Sequence, residues 1–472
     1  MKPTSPAAFR LLREGTLALA DVEAAGIRVD TEYLDRMIAK AKAKAERMAE
    51  ELKADEVWRV WKKTCGGNAS LGSRAQLARV LFDAMGLPVT MRTGKTQRPS
   101  TDDAHLATVD LPFVRRYQEY ESLKKTVATN LKGIRREVVD GRAHCDYSLN
   151  KVRTYRSGCS SFNFQNLPVR DPLMGKLVRR AFVPSPGNVL VEVDESQAEV
   201  RAGCCYHFDP RMIAYIEDPA KDMHRDMASQ CFLIPEAELK DAAKHYKPVR
   251  GLAKGNFVFA EFYGDYWADK RDGKPGVARK MWETVVRERL KTADGTPLPA
   301  HMARNGIKGL GDCSPRGNAG RGTFAGHIKA VEKDFWGRRF RRYAEWKEEW
   351  WQEYLARGWF RMHTGFVCQG IHSKNETSNY PIQGAAFHCL LWSIIRLNNW
   401  LRKNRMRTLI VGQIHDSILL DAPEAEVADV VASARRIMTR DIRKEWPWII
   451  VPLEVETEIA RTNWFEKEKY EP

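Results

Sequence analysis

Short apolar runs that end at or bracket an acid, set among long charged stretches with helical spacing, predict an α+β chain. Asn188 to Asp194 reads as a strand, because Val189, Leu190, Val191 and Val193 are apolar and Asp194 follows directly. Arg407 to Asp421 reads as strand, turn and strand, with Asp416 between two apolar runs like the tip of a hairpin. Val451 to Ile459 reads as a third strand. Together they predict a mixed or antiparallel sheet that carries both acids.

The other elements follow in order. Leu17 to Gly26 has the pattern of a short helix, and Ile27 to Asp30 leads into the next. Glu32 to Lys53 is rich in Ala, Lys and Glu, which predicts a long solvent-washed helix. After the Gly66–Gly72 loop, a helix capped by Ser73 runs to Met85 and closes at Gly86. Arg92 to Pro99 reads as a basic turn, and Pro112 to Arg136 as a basic helix. Glu236 to Tyr263 is mostly helical, with a break before Pro248. Asp265 to Phe324 is rich in Gly, Lys and Arg, and the spacing predicts a mobile insertion. Ile328 to Ala356 reads as one charged, Trp-rich helix.

The 472 residues exceed one ordinary core, so two or three subdomains are expected. Lys plus Arg number 77 and Asp plus Glu 61, a formal charge of +16 that favours a polyanionic partner such as nucleic acid. The 9 cysteines contain no CxxC pair, which argues against a disulfide framework and a structural zinc. The opening MKPTSPAAFRLLREG lacks an apolar signal core, and no long apolar run follows. The expectation is a protein of a reducing cytoplasm with no membrane partner.

The chain order of acid, basic and aromatic helix, acid is that of a nucleotide polymerase. With its motifs in hand, the chain resembles a family A DNA polymerase, the group that includes bacterial DNA polymerase I and many phage replicative enzymes. DESQAEVR at 194–201 is similar to the family's DYSQIELR, RGLAKGNFVFAEFYG at 250–264 to its basic and aromatic helix, and QIHDS at 413–417 to its QVHDE. FQNLPVR at 164–170, DMHRDMA at 222–228, NYPIQGAA at 379–386 and EVETEIARTNW at 454–464 fall in family order. The resemblance implies a right hand of antiparallel palm sheet, helical fingers and helical thumb. It divides the chain into a leading segment (1–29), thumb (30–140), first palm part (141–235), fingers (236–360, with a basic insertion at 265–325) and second palm part (361–472). It also implies a phage-type, polymerase-only chain that works in the cytoplasm, that of a bacterial host if phage-encoded.

The implied reaction is template-directed addition of dNTPs to a primer 3′ end. The implied cofactor is a pair of Mg2+ ions, with Mn2+ able to substitute, because phosphate chemistry with hard cations asks for carboxylate and carbonyl oxygens. The resemblance makes Asp194 and Asp416 the metal ligands, with a carbonyl near Glu195 as a third. The Glu195 side chain, where the family has Tyr, either raises the affinity for the metals or faces solvent, and solvent is the favoured expectation. Ser417 stands where the family has Glu, leaving the two-acid core intact. Arg250, Lys254 and His224 are expected on the triphosphate, with Lys254 also the proton donor to pyrophosphate. Glu199 is the expected steric gate against a 2′-hydroxyl, and Gln197 is placed near the nascent pair. Gln165, Asn166, Gln383, Gln413 and His415 are expected at minor-groove edges and the primer end, where amide side chains meet acceptors common to all base pairs. Arg201 is expected to pack its helix or to touch DNA. The family's Thr-Gly-Arg arginine is read as replaced by Cys159, with Arg156 or Arg153 as substitutes. Phosphate contacts are expected from Lys124, Lys125, Lys132 and the Arg92–Arg98 turn.

One departure has a geometric consequence. The aromatic and the Tyr-Gly come one residue late after Lys254. On a regular helix Phe259 would lie about 180° from Arg250, and a one-residue π-bulge near Gly255–Asn256 would bring it back to roughly 80°. Phe259 is then expected at the sugar and Tyr263 below the templating base; without the bulge, Val258 and Phe262 take those places. The family's exonuclease fold has no room before the thumb-like segment, so no proofreading is expected, although Asp30-Thr31-Glu32 mimics a DxE motif. A separate exonuclease, a single-strand-binding protein and a helicase-primase are the partners left open. The rival readings are a sugar-tolerant or RNA-synthesising polymerase on the same palm, and a catalytically silent DNA-binding subunit.

Overall fold

The computed structural model describes residues 2–89, 92–93, 96, 98–106, 108–168, 172–271 and 273–471. Parts of the Arg92–Arg98 turn and the end of FQNLPVR therefore lie outside the described residues.

The central element is β1 (Asn188–Glu195). It lies in a five-stranded sheet with β2 (Leu409–Ile414), β3 (Ser417–Pro423), β4 (Val455–Ala460) and β5 (Glu468–Lys469), in the order β2-β3-β1-β4-β5. Every pairing in it is antiparallel. Both faces of β1 are covered, which is why its sequence is nearly continuously apolar. Val189, Val191 and Val193 enter the large core, while Leu190 enters a second core with Phe162, Phe164, Phe182 and Trp464. On that second face Glu192 accepts a bond from Trp464 Nε1 at 2.8 Å and pairs with Lys467 at 2.7 Å.

Helices that carry or support the site include α1 (Pro6–Ala25), α2 (Thr31–Ala54), α3 (Pro112–Lys125), α4 (Ala198–His207), α5 (Lys247–Leu252) and α6 (Lys374–Lys403). α1 starts well before Leu17, because Ser5 caps it and Pro6 opens its first turn without needing a donor. α6 begins with a reciprocal Ser373–Glu376 capping box and buries most of its length under the sheet. The Ser73 cap is present, and the helix it opens relaxes into a π-turn at Arg79–Ala84. A second π-turn, Thr126–Leu131, extends α3 towards Arg136. Asp30 of the DxE mimic is the N-cap of α2, accepting from Tyr33 N at 2.8 Å.

Three expectations change. The third strand begins at Val455, four residues later than Val451, because Pro452 cannot donate to a ladder. The Trp-rich helix is two helices, Phe324–Asp334 and Arg341–Arg357, separated by a π-turn and by Phe340 at φ −118°. The 265–325 stretch is built, not loose. Val277–Arg287 and Leu298–Arg304 are helices, and Val277, Met281, Leu298, Met302, Cys313 and Phe324 are buried in the main core. Some of its glycines serve close backbone approach: a Cβ on Gly276 would lie 2.0 Å from Ala268 O and one on Gly311 2.8 Å from Ala319 O. Among the described residues, no helix is long and apolar enough to cross a membrane.

Candidate active site

β1 delivers Asp194 opposite Ser417, the first residue of β3. The preceding residue, Asp416, sits in the two-residue turn between Ile414 and Ser417, where His415 adopts φ +50°. Glu195 N donates to Asp416 O at 3.0 Å, so one hydrogen bond ties the strand end to the hairpin tip. The chain then reverses into α4 through Gln197, which adopts φ +55°. Two non-glycine residues in the left-handed region, each within three positions of an acid, mark backbone held against its preference.

Asp194, Asp416 and Glu195 repel one another. Burial, then Glu192 and Asp416, pushes the Asp194 carboxyl up to about 7. Burial raises Asp416 against the opposing pull of Arg156, whose guanidinium lies 3.9 Å from its Oδ1. The Glu195 side chain does not face solvent. Strand alternation sends it to the face opposite Asp194, towards Cys389 of α6, and burial pushes its carboxyl far up. Its Oε1 is buried with no hydrogen-bond partner among the described residues.

This donor set fits hard divalent cations. Asp194 and Asp416 offer carboxylate oxygens, the ligands such ions take, and their mutual repulsion is what a cation between them would relieve. No group of three or more His, Cys, Asp or Glu placed to hold a metal occurs among the described residues. The pattern is the one magnesium tolerates, in which one or two carboxylates hold the ion and substrate phosphates and water complete its shell.

The acids open into a cleft of about 300 Å³. Asp194, Glu195, Gln197, Glu199, Lys254, Phe259, Tyr263, Gln383 and Asp416 all line it. The wall that carries Lys254 and the aromatics continues α5 through a π-turn at Ala253–Val258, with Gly255 and Asn256 in its middle. The turn sets the Phe259 ring 5.4 Å from Lys254 Nζ. Tyr263 faces the cleft, 45% exposed, and donates to Glu199. Phe262 reaches the cleft too, but its ring packs on Phe335 and Tyr343 at 5.9 and 5.7 Å, and Val258 is fully buried. Gly264 adopts φ +80°, a conformation that L side chains rarely take, which favours glycine there.

The other predicted residues stand farther back. Arg250 is exposed and paired with Asp222 at 2.7 Å. His224 is buried behind Phe259, edge-on at 5.8 Å. Burial, then Lys254 and Arg250, pushes its imidazole down to about 4. The unfolded imidazole takes a proton near pH 6.5 and the folded one near 4, so this residue costs stability as pH falls through that window. In an NMR titration the His224 ring signals are expected to stay unchanged from pH 8 to about 5; a midpoint near 6.5 would contradict the burial argument.

Of the two roles open to Arg201 the structure shows the packing one, and the expected DNA contact of Gln413 is corrected. Arg201 is 2% exposed, and its donors go to Ser196 O, Pro452 O and Glu454, so it staples α4 to the 452–454 turn. Gln413 is fully buried: its Oε1 accepts from Ser157 Oγ at 2.7 Å and from Gln165 Nε2 at 2.6 Å, and its Nε2 donates to His415 O. It orients Gln165 and has no free edge for a base. Asn166 and His415 are exposed, and Gln165 is half-buried.

Arg156 is the residue that sequence reasoning undervalues. It donates to Glu199 and approaches Asp416, whereas Cys159 sits in the Gly158–Ser160 strand opposite Tyr147 and points its thiol at Phe162 O. Arg156 stands nine residues before Gln165 and Cys159 six, and that spacing is the available signal. Tyr343 also lines the cleft and carries no signal in sequence, and Asn379 lines it as the first residue of the NYPIQGAA stretch.

A family model described as DNA polymerase family A matches residues 35–265 and 368–466, which hold both acids and the Lys254 wall of the cleft. The chain belongs to DNA polymerase family A. It is 28% identical to a thermostable DNA polymerase I of Thermus thermophilus, over 93% of this chain and 46% of that protein. It is 27% identical to DNA polymerase I of Pseudomonas aeruginosa, over 98% of this chain and 43% of that protein. The chain therefore spans about half the length of the curated relatives it matches. Its fold is that of a polymerase domain of Pol1 from M. smegmatis, solved in complex with DNA primer-template and dNTP, with TM-score 0.73 and 21% identity, covering 96% of this chain and 70% of that one.

Proposed function

We propose that this chain is a template-directed DNA polymerase that adds dNTPs to a primer 3′ end. The observation that carries the reading is that Asp194, near the end of one strand, and Asp416, in the turn that opens the adjacent strand, line one cleft with Lys254, Phe259 and Tyr263. In this reading the antiparallel sheet is the palm, residues 30–140 the thumb and 236–360 the fingers.

Asp194 and Asp416 would hold divalent ions, Mg2+ by the chemistry of the donors. Such ions, when bound, lower the pKa of the primer hydroxyl and neutralise the triphosphate. Lys254 lies on the opposite wall and supplies positive charge where the leaving pyrophosphate develops negative charge. Arg250 exchanges Asp222 for the triphosphate, an arrangement that keeps its guanidinium oriented before substrate arrives. Phe259 and Tyr263 pack against sugar and template base, and Glu199 stands where a 2′-hydroxyl would be. Gln383 faces the cleft and Gln165 is held in place by Gln413, so both suit minor-groove edges. The chain performs no proofreading of its own in this reading, as Asp30 is committed to a helix cap.

Primer extension tests the proposal. With dNTPs and magnesium the protein extends a primed template to its end, chelation stops it, and with magnesium but no nucleotides a mismatched primer end persists. No extension under any divalent ion would refute the polymerase reading, and trimming of the mismatch would refute the absence of proofreading.

A further inference from the structure

Residues 306–322 form a glycine-rich loop inside the segment between the two matched blocks of the family, and the polymerase reading assigns it nothing. Its shape is fixed by its own backbone. Lys308 N donates to Gly322 O at 2.7 Å, Phe324 N to Gly309 O and Ala325 N to Leu310 O, both at 2.8 Å. Ile307, Cys313 and Ala319 are buried beneath it. Gly311 and Gly320 adopt φ +81° and +76°, and a Cβ on Gly326 would lie 2.0 Å from Gly320 O, so the path is tightly specified.

On this frame Lys308, Arg316 and Arg321 are exposed, and among the described residues none of them has an acidic partner. Lys308 and Arg321 lie on segments that pair with each other, and Arg316 projects from the turn closed by Gly317 N and Ser314 O at 2.9 Å. The loop's one carboxylate, Asp312, is folded back onto Ser314 N at 2.8 Å and against Gly317. Three exposed cations, beside an acid that is itself exposed but has one oxygen taken up by the loop backbone, make a built anionic-ligand surface and not a neutral salt-bridged face.

The loop is also joined to the nucleotide-binding helix. Asp265 N donates to Ala260 O at 2.8 Å, and Lys280 reaches Asp265 at 2.7 Å. Asp269 N donates to Cys313 O at 2.7 Å, which fastens the loop to the segment leading from Tyr263. Tyr266, on that segment, is 37% exposed and offers an aromatic face. The loop is thus tied to the segment that leaves Tyr263, where the polymerase reading places the templating base, and the strand ahead of that base is single until it is copied.

Resting on the polymerase reading, we propose that Lys308, Arg316 and Arg321 grip the phosphates of the single-stranded template ahead of the primer end. Cations on a fixed loop beside an exposed aromatic are the chemistry of sequence-tolerant single-strand binding.

The test compares two primed templates, one with an overhang of about twenty nucleotides and one with about two. Wild type is expected to bind the long overhang about tenfold more tightly. The triple variant Lys308→Ala, Arg316→Ala, Arg321→Ala is expected to lose that preference while binding and extending the short overhang as wild type does. Its log Kd against log salt slope on the long overhang should flatten by about 2, since each released single-strand contact contributes about 0.7. The charge-keeping variant Lys308→Arg, Arg316→Lys, Arg321→Lys should retain the preference. Equal binding of the two templates by wild type overturns the proposal, as does an equal loss on both templates in the triple variant. A loss seen only on a gapped template with duplex ahead overturns it in favour of a downstream-duplex grip. A wild type that extends neither template refutes the polymerase reading itself, and this inference falls with it.

Discussion

Replacing Asp416 or Asp194 with alanine is expected to lower primer extension at least about a thousandfold, with primer-template binding kept within about tenfold. The asymmetry follows from where the acids sit. Asp416 occupies a tight turn whose partner strand is β1, so its removal leaves the ladder intact, and Ser417 still pairs with Asp194. What is lost is a ligand for the cations that activate the primer hydroxyl, an interaction that strengthens towards the transition state. DNA contacts spread over a basic chain are barely touched. The metal-free variants should also be at least as stable as wild type. Asp194 is held up to about 7 by burial, Glu192 and Asp416, and deleting either acid relieves that repulsion. Single-turnover extension and thermal unfolding with and without magnesium check both parts. An Asp416→Ala enzyme that extends at more than a tenth of the wild-type rate removes the two-acid mechanism.

Much of this site is legible in the sequence, for identifiable physical reasons. β1 is apolar on both faces, so its run and its terminal acid stand out from the helical background. The π-turn follows from counting alone: one extra residue after Lys254 turns Phe259 to the wrong side unless the helix widens, and it widens at Ala253–Val258. The burial of Glu195 is also derivable, since a strand that exposes residue 194 must point 195 to the other face. Ending the strand at Asp194 hides that consequence, because the alternation then stops one residue short. What sequence does not supply are pairings over long separations. Gln413 looks like a DNA-reading amide until Ser157 and Gln165, 256 and 248 residues away, claim its oxygen. Arg201 looks like a free cation until Glu454 and Pro452 claim it. The 265–325 stretch looks loose because glycine signals flexibility in composition; in the fold, Gly276, Gly311 and Gly322 are where backbones meet.

Substituting Glu199 with alanine is expected to raise ribonucleotide incorporation, relative to the matching dNTP, by about a hundredfold or more. A steric gate works only if it cannot step aside. Glu199 is held from two sides, by the Tyr263 hydroxyl on one carboxylate oxygen and by Arg156 on the other. Swinging away from an incoming 2′-hydroxyl would break both bonds in a half-buried site, at a cost of roughly 1–3 kcal/mol for each charge-assisted bond. A free glutamate on an open helix would impose no such cost. The clamp also sets what else changes. Glu199→Ala releases Tyr263, so the KM for correct dNTPs should rise along with the loss of sugar selection. It also leaves Arg156 facing Asp416 alone, so the rate of the chemical step should fall modestly. Glu199→Gln keeps the length; its Oε1 can accept from Arg156 while its Nε2 donates to the Tyr263 hydroxyl oxygen, so its sugar discrimination should stay within about tenfold of wild type. Steady-state kcat/KM for paired dNTP and rNTP in the three proteins separates the possibilities. If Ala and Gln lose discrimination equally, charge and not shape selects the sugar; if neither loses it, the gate lies elsewhere in the cleft.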